Sequence, residues 1–175
     1  MNLEEAANLG ELLGGLAILV TLIFGIRQII ELNKGKEREA SREMANLLSS
    51  PIYQSGLSIL VNKFDDDFTL KDLEKLDRNE KDALNHLAIT TNSIGVMAFE
   101  RQLSFKSVAI FMQPMNEIVG QRFRKLVKAL QTNAQNQGVI TDSAPLDWVI
   151  WLFDRMDDLP PIEGPAYVLY RDWKP

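Results

Sequence analysis

The stretch that decides the fold is Leu12–Ile26, LLGGLAILVTLIFGI. It carries no charge; Glu11 bounds it on one side and Arg27 on the other. At 1.5 Å per residue it covers roughly 22 Å, short of a hydrocarbon core of ~30 Å. Leu9 and Gly10 before it, and Ile29 and Ile30 after it, supply the missing length if Glu11 sits at one interface and Arg27 snorkels to the other. A helix apolar on all faces has no polar side to lay on a surface, which argues against an in-plane amphipathic helix. A core helix buried on every side is the rival reading. A cleaved signal peptide fits worse: the preceding residues carry Glu4 and Glu5 and no Lys or Arg, and no small-residue cleavage pair follows. The expectation is a retained span over residues 9–30.

The flanking charges set its direction. Glu4, Glu5 and Glu11 precede it; Arg27, Lys34, Lys36, Arg38 and Arg42 follow it, mixed with glutamates. Lys and Arg accumulate on the cytoplasmic side. Residues 1–8 are therefore expected outside the cytoplasmic membrane and the bulk of the chain within the cytoplasm. Gly10, Gly14, Gly15 and Ala17 form a small-residue face suited to close contact with another helix. Thr21 can bond back to a carbonyl one turn earlier, so its hydroxyl requires no ligand.

Residues 31–48 hold no proline and alternate in charge, a pattern of helical i,i+3 and i,i+4 pairs. They read as a juxtamembrane helix whose Met44, Leu47 and Leu48 can dock on the following domain. Residues 49–158 read as a small helical domain. Ser50-Pro51 opens a helix, Thr69 with Asp72 and Asp77 with Glu80 are capping pairs, and Ser104 caps a long helix from Phe105. Pro114 is expected to kink or break that helix near Phe111. Gly95 and Ala98 would let a neighbouring helix approach the one that starts at Arg78. Thr141-Asp142-Ser143 and Pro145 precede a last helix, Leu146–Met156, bearing Trp148 and Trp151. Residues 159–175 carry Pro160, Pro161, Pro165 and Pro175, which exclude a helix there, and present Tyr167, Tyr170 and Trp173 as an extended arm. The whole is all-α: a single transmembrane helix, a juxtamembrane helix, a cytoplasmic bundle and a proline- and aromatic-rich arm.

The chemistry-bearing residues are sparse. The chain of 175 residues has no cysteine, which removes disulfides, thiolate metal sites and cysteine nucleophiles. Its one histidine, His86, has no carboxylates at ligand spacing. Asp65-Asp66-Asp67 fails as an EF-hand loop, because Leu70 stands where the sixth-position glycine belongs, and reads as a solvated turn. No phosphate-cradling glycine loop or nucleophile motif occurs. Acidic groupings such as Glu100 with Glu117, or Asp154 with Asp157 and Asp158, are ordinary in helical proteins. The net charge of −5 gives nucleic acid no general support. The run Arg122, Arg124, Lys125, Lys128 reads as a solvated face, with lipid phosphate the alternative. Met97, Met112 and Met115 read as core filler, with a cavity for an apolar ligand, bordered by Phe111, the alternative. Trp148 and Trp151 read as a core plug or as an interfacial anchor.

The segment LGELLGGLAILVTLIFGIRQ, Leu9–Gln28, resembles the opening of a family of uncharacterised bacterial proteins with one N-terminal hydrophobic helix ending in an Ile-Arg-Gln-type signature. The resemblance covers about the first 45 residues and implies a membrane-anchored all-α protein of the bacterial inner membrane, with no catalytic residues, metal or cofactor to carry over. The expected role is that of a non-catalytic accessory or scaffolding subunit. Its partners would be other membrane subunits, a second copy of itself and the bilayer, with Trp148, Trp151, Tyr167, Tyr170 and Trp173 as docking residues. The alternative is a membrane-tethered regulator that binds a small apolar or lipid ligand in its helical domain.

Overall fold

The computed structural model describes residues 3–136, 138, 145–160, 164, 168 and 171–172, with the side chains of 3–7 and 9–12 set aside. Among these residues the regular elements are all helices: α1 Leu3–Leu48, α2 Pro51–Asn62, α3 Leu70–Glu74, α4 Arg78–Phe99, α5 Phe105–Asn136 and α6 Asp147–Asp157. The chain divides into two units, Met1–Glu43 and Met44–Pro175.

The first unit is a single helix. α1 already begins at Leu3, inside the stretch expected as a short tail, because residues 3–9 hold no proline or glycine and two Glu and two Ala favour a helix. From Leu13 to Ile30 its side chains are exposed on every face except at the half-buried Gly25. The Thr21 hydroxyl donates to the Ala17 carbonyl at 2.8 Å, one turn earlier, as its sequence suggested.

The second unit is a small helical bundle. Met44 is fully buried within it, so α1's last turn contributes core as its sequence suggested. α4 is the central helix, packed against α2, α6 and α5. Its buried stripe, Leu84, Leu87, Ala88, Thr91, Ile94, Gly95 and Ala98, follows the 3–4 spacing of the sequence. Two glycines set the closeness of these contacts. A side-chain carbon at Gly56 on α2 would collide with the Ala83 carbonyl on α4, and one at Gly95 would stand 2.5 Å from the Trp148 carbonyl on α6. Fully buried Tyr53, Leu60, Leu103, Met112, Phe123, Leu126, Leu152 and Phe153 fill the remaining core.

The helix starts are where the capping residues predict. The Ser50 hydroxyl accepts from the Tyr53 amide at 3.3 Å with Pro51 in the first turn. Asp77 and Glu80 exchange reciprocal bonds, 2.9 Å from the Glu80 amide to Asp77 and 3.3 Å from the Asp77 amide to Glu80. The Asp72 carboxylate takes the Thr69 amide at 2.9 Å, and Ser104 accepts from the Ser107 amide at 3.2 Å. Thr141, Asp142 and Ser143 lie outside the described residues.

Pro114 does not break its helix. α5 runs through it from Phe105 to Asn136. The carbonyl deprived of a donor belongs to Ile110, and both Ile110 and Pro114 are exposed, so water can take the place of the missing amide.

Candidate functional site

In α1 the small residues are bare. Gly14, Gly15 and Ala17 are exposed, and a side-chain carbon built on Gly14, Gly15 or Gly25 meets nothing within 4 Å. Gly14, Ala17, Thr21 and Gly25 follow i, i+3, i+7, i+11 and so lie along one side of the helix. Arg27 is exposed. Gly10 and Glu11 belong to the helix, and the side chain of Glu11 lies outside the described residues. Beside these stand large apolar side chains with no cover: Ile18 is 70% exposed and Phe24 63%.

In the second unit the two tryptophans of α6 are brought together and joined by a residue the sequence did not mark. Phe99, at the last turn of α4, lies 4.5 Å from Trp148 between ring centroids, and edge-on to Trp151 at 5.8 Å. Trp148 and Trp151 meet at 5.7 Å, also edge to face. Both tryptophans are half-buried and Phe99 is exposed. The cluster is a half-buried aromatic patch whose inner edge is set by the Gly95–Trp148 contact. Phe99 follows Gly95 by four residues on the same helix face, the signal by which it could have been found. Tyr167, Tyr170 and Trp173 lie outside the described residues.

A second apolar surface runs along α5. Val108, Met112, Val119, Phe123, Leu126 and Val127 point inward, whereas Ile110, Phe111 and Ile118 are exposed. Met112 sits in the core, Met97 is half-buried and Phe111 faces out.

The charged residues mostly serve the fold. Arg122 donates to Asp66 at 2.7 Å and to the Val61 carbonyl at 3.1 Å; Lys125 donates to the Asp66 carbonyl at 2.8 Å. Arg124 spans α5 and α6, reaching Asp154 at 3.3 Å and also Asp157, with its guanidinium 5.5 Å from the centre of the Phe153 ring. Three members of the basic run are thus committed internally, and Asp66 is a tether for α5 rather than a purely solvated turn residue. Asp158 pairs with Arg155 at 3.3 Å. His86 is half-buried, and among the described residues no three metal-ligating side chains converge.

Among the described residues two titrating groups are perturbed. Burial pushes the Tyr53 phenol up to about 12, opposed by its contact with the Thr91 hydroxyl at 3.4 Å. Lys75, and then the Thr69 amide and hydroxyl, hold the Asp72 carboxyl well below the usual carboxylate range. Neither lies in an arrangement of acid, base and nucleophile.

Compared with models of protein families, with curated proteins and with solved structures, the chain matches none.

Proposed function

We propose that this chain is a non-catalytic, single-pass membrane-anchored subunit that scaffolds or assists a larger complex in the bacterial inner membrane. The observation that carries the anchor is the all-round exposure of α1. Twelve large apolar side chains from Leu13 to Leu32 stand 46–70% exposed. At ~1.5–3 kcal/mol for a whole side chain, half-exposure of that many costs on the order of 10–20 kcal/mol in water. That is comparable to the entire stability of a domain. The helix thus needs an apolar environment, and one that wraps every face is a bilayer. Leu13 to Ile30 rises roughly 27 Å, close to the thickness of a hydrocarbon core.

The positive flank supports a C-terminal unit on the cytoplasmic side. The patch of Phe99, Trp148 and Trp151 and the row of Ile110, Phe111 and Ile118 are the surfaces offered to partner subunits, since aromatic anchors dominate protein interfaces. The glycine side of α1 is offered to a neighbouring span, including that of a second copy. Purification from native membranes in mild detergent tests the reading. Stoichiometric partners that are lost in Phe99→Ala support it; a monodisperse single chain with nothing attached contradicts it.

A further inference from the structure

We infer that the groove between the start of α3 and the C-terminal half of α5 binds a medium-chain carboxylate, head on the lysines and chain on the apolar floor. The groove has a volume of about 330 Å³, at the small end of ligand pockets, and is lined by Phe68, Thr69, Leu70, Lys125, Lys128, Ala129 and Thr132. Among the described residues no carboxylate lines it, although the chain as a whole carries a net charge of −5. The nearby acids are already neutralised: Asp66 by Arg122, Asp72 by Lys75 at 2.8 Å. Lys125 is held over the face of Phe68, 5.3 Å from the ring centre, and one bond to the Asp66 carbonyl leaves it two N–H groups to give. Lys128, one turn further along α5, is exposed and is the member of the basic run whose side chain no described group engages. The hydroxyls of Thr69 and Thr132 spend their protons on Asp72 at 2.8 Å and on the Lys128 carbonyl at 2.9 Å, which leaves the two lysines as the side-chain donors among the described lining residues. Buried Phe68, with half-buried Leu70 and Ala129, supplies the apolar floor. Cations on the rim and hydrocarbon on the floor are the complement of an amphiphile with one anionic head.

This inference stands apart from the partner reading: a groove in the C-terminal unit can hold a carboxylate whether or not other subunits attach. The test uses the full chain in phosphatidylcholine nanodiscs, labelled with a photoactivatable diazirine derivative of decanoic acid and mapped by peptide mass spectrometry. The expected result is labelling within residues 68–70 and 125–132. It should fall about tenfold for the neutral amide of the same probe and for Lys128→Ala, the scale of one charge-assisted hydrogen bond, and disappear in the groove-filling variant Ala129→Trp. Labelling confined to α1, or labelling of the groove that is the same for acid and amide, overturns it. Equal labelling of the wild-type chain and Lys128→Ala overturns it as well. Adding phosphatidylglycerol to the nanodisc while keeping the probe distinguishes the sources: loss of groove labelling to that lipid, with unlabelled decanoic acid failing to compete, would assign the site to a bilayer headgroup and contradict a free carboxylate.

Discussion

The backbone of Trp148 rests on the bare α-carbon of Gly95, so closely that a methyl group there would stand 2.5 Å from the Trp148 carbonyl oxygen. This contact seats α6 on α4 and, through Phe99 one turn later, fixes the aromatic patch. Gly95→Ala gains up to ~1 kcal/mol of helix propensity but must push α6 away, an overpacking cost of typically 1–3 kcal/mol. A net loss of about 1–2 kcal/mol is expected, with a changed tryptophan emission spectrum, measured by thermal unfolding and fluorescence in detergent. An unchanged spectrum and midpoint would show that the helices are not in this register.

Arg124 is the second clamp on α6. Its side chain is 14% exposed and meets Asp154, Asp157 and Asn116 while covering the Phe153 ring. The carboxylates are half-exposed, so solvent discounts the pairing. Arg124→Ala should still cost about 1–3 kcal/mol, because it strips the charge-assisted hydrogen bonds to Asp154 and Asp157 and the cover of an aromatic ring. Arg124→Lys should recover only part, lacking the planar fork. Equal stability of the alanine variant and the wild-type chain would rule out the clamp.

Arg101 adopts a left-handed conformation, φ 59°, immediately beyond the end of α4. The Gln102 amide bonds the Met97 carbonyl at 2.9 Å and the Arg101 amide bonds the Ala98 carbonyl at 3.2 Å, the Schellman pattern in which glycine is usual. Glycine would relieve a strain of ~1–2 kcal/mol while raising the entropy of the unfolded chain. Arg101→Gly should therefore stabilise by about 0.5–1 kcal/mol, a rise in the thermal midpoint; a fall would show that the arginine makes a contact worth more than the strain.

Tyr53 makes stability fall at high pH. Its phenol has an ordinary value of 10.0 when unfolded and is pushed up to about 12 by burial. An acid raised in the fold contributes stability that is intact below pH 10 and declines as pH rises from about 10 to 12. Absorbance of tyrosinate should show Tyr53 ionising late or together with unfolding, and Tyr53→Phe should lose the Thr91 contact yet gain resistance to alkali. A variant with the same alkaline midpoint as the wild-type chain would contradict this origin.

Much of the bundle is legible in the sequence because local rules suffice for it. The caps at Ser50, Asp77 and Ser104 each need only a side chain and an amide a few residues away, and the α4 stripe needs only its periodicity. What escaped depends on distant segments or on the facing of one helix side. Phe99 reads as the end of a stripe until α6 supplies Trp148 and Trp151. Phe111 and Ile118 share the 3–4 spacing of the α5 core residues, and spacing does not say which edge of a broad apolar stripe stays uncovered. Asp66 looks solvated until Arg122, 56 positions later, returns to it. Pro114 alone predicts disruption of an average helix, whereas its place on the exposed side lets water satisfy Ile110.

The proposed bilayer crossing of α1 is open to a direct measurement, because the chain has no cysteine and any introduced thiol is unique. Single substitutions Asn8→Cys, Val20→Cys and Lys106→Cys would be treated with a membrane-impermeant maleimide, first on intact spheroplasts and then after permeabilisation. A span with its C-terminal unit in the cytoplasm gives labelling of Asn8→Cys in intact cells, of Lys106→Cys only after permeabilisation, and of Val20→Cys in neither. Ready labelling of Val20→Cys in permeabilised cells would place the apolar stretch in water and contradict the membrane anchor.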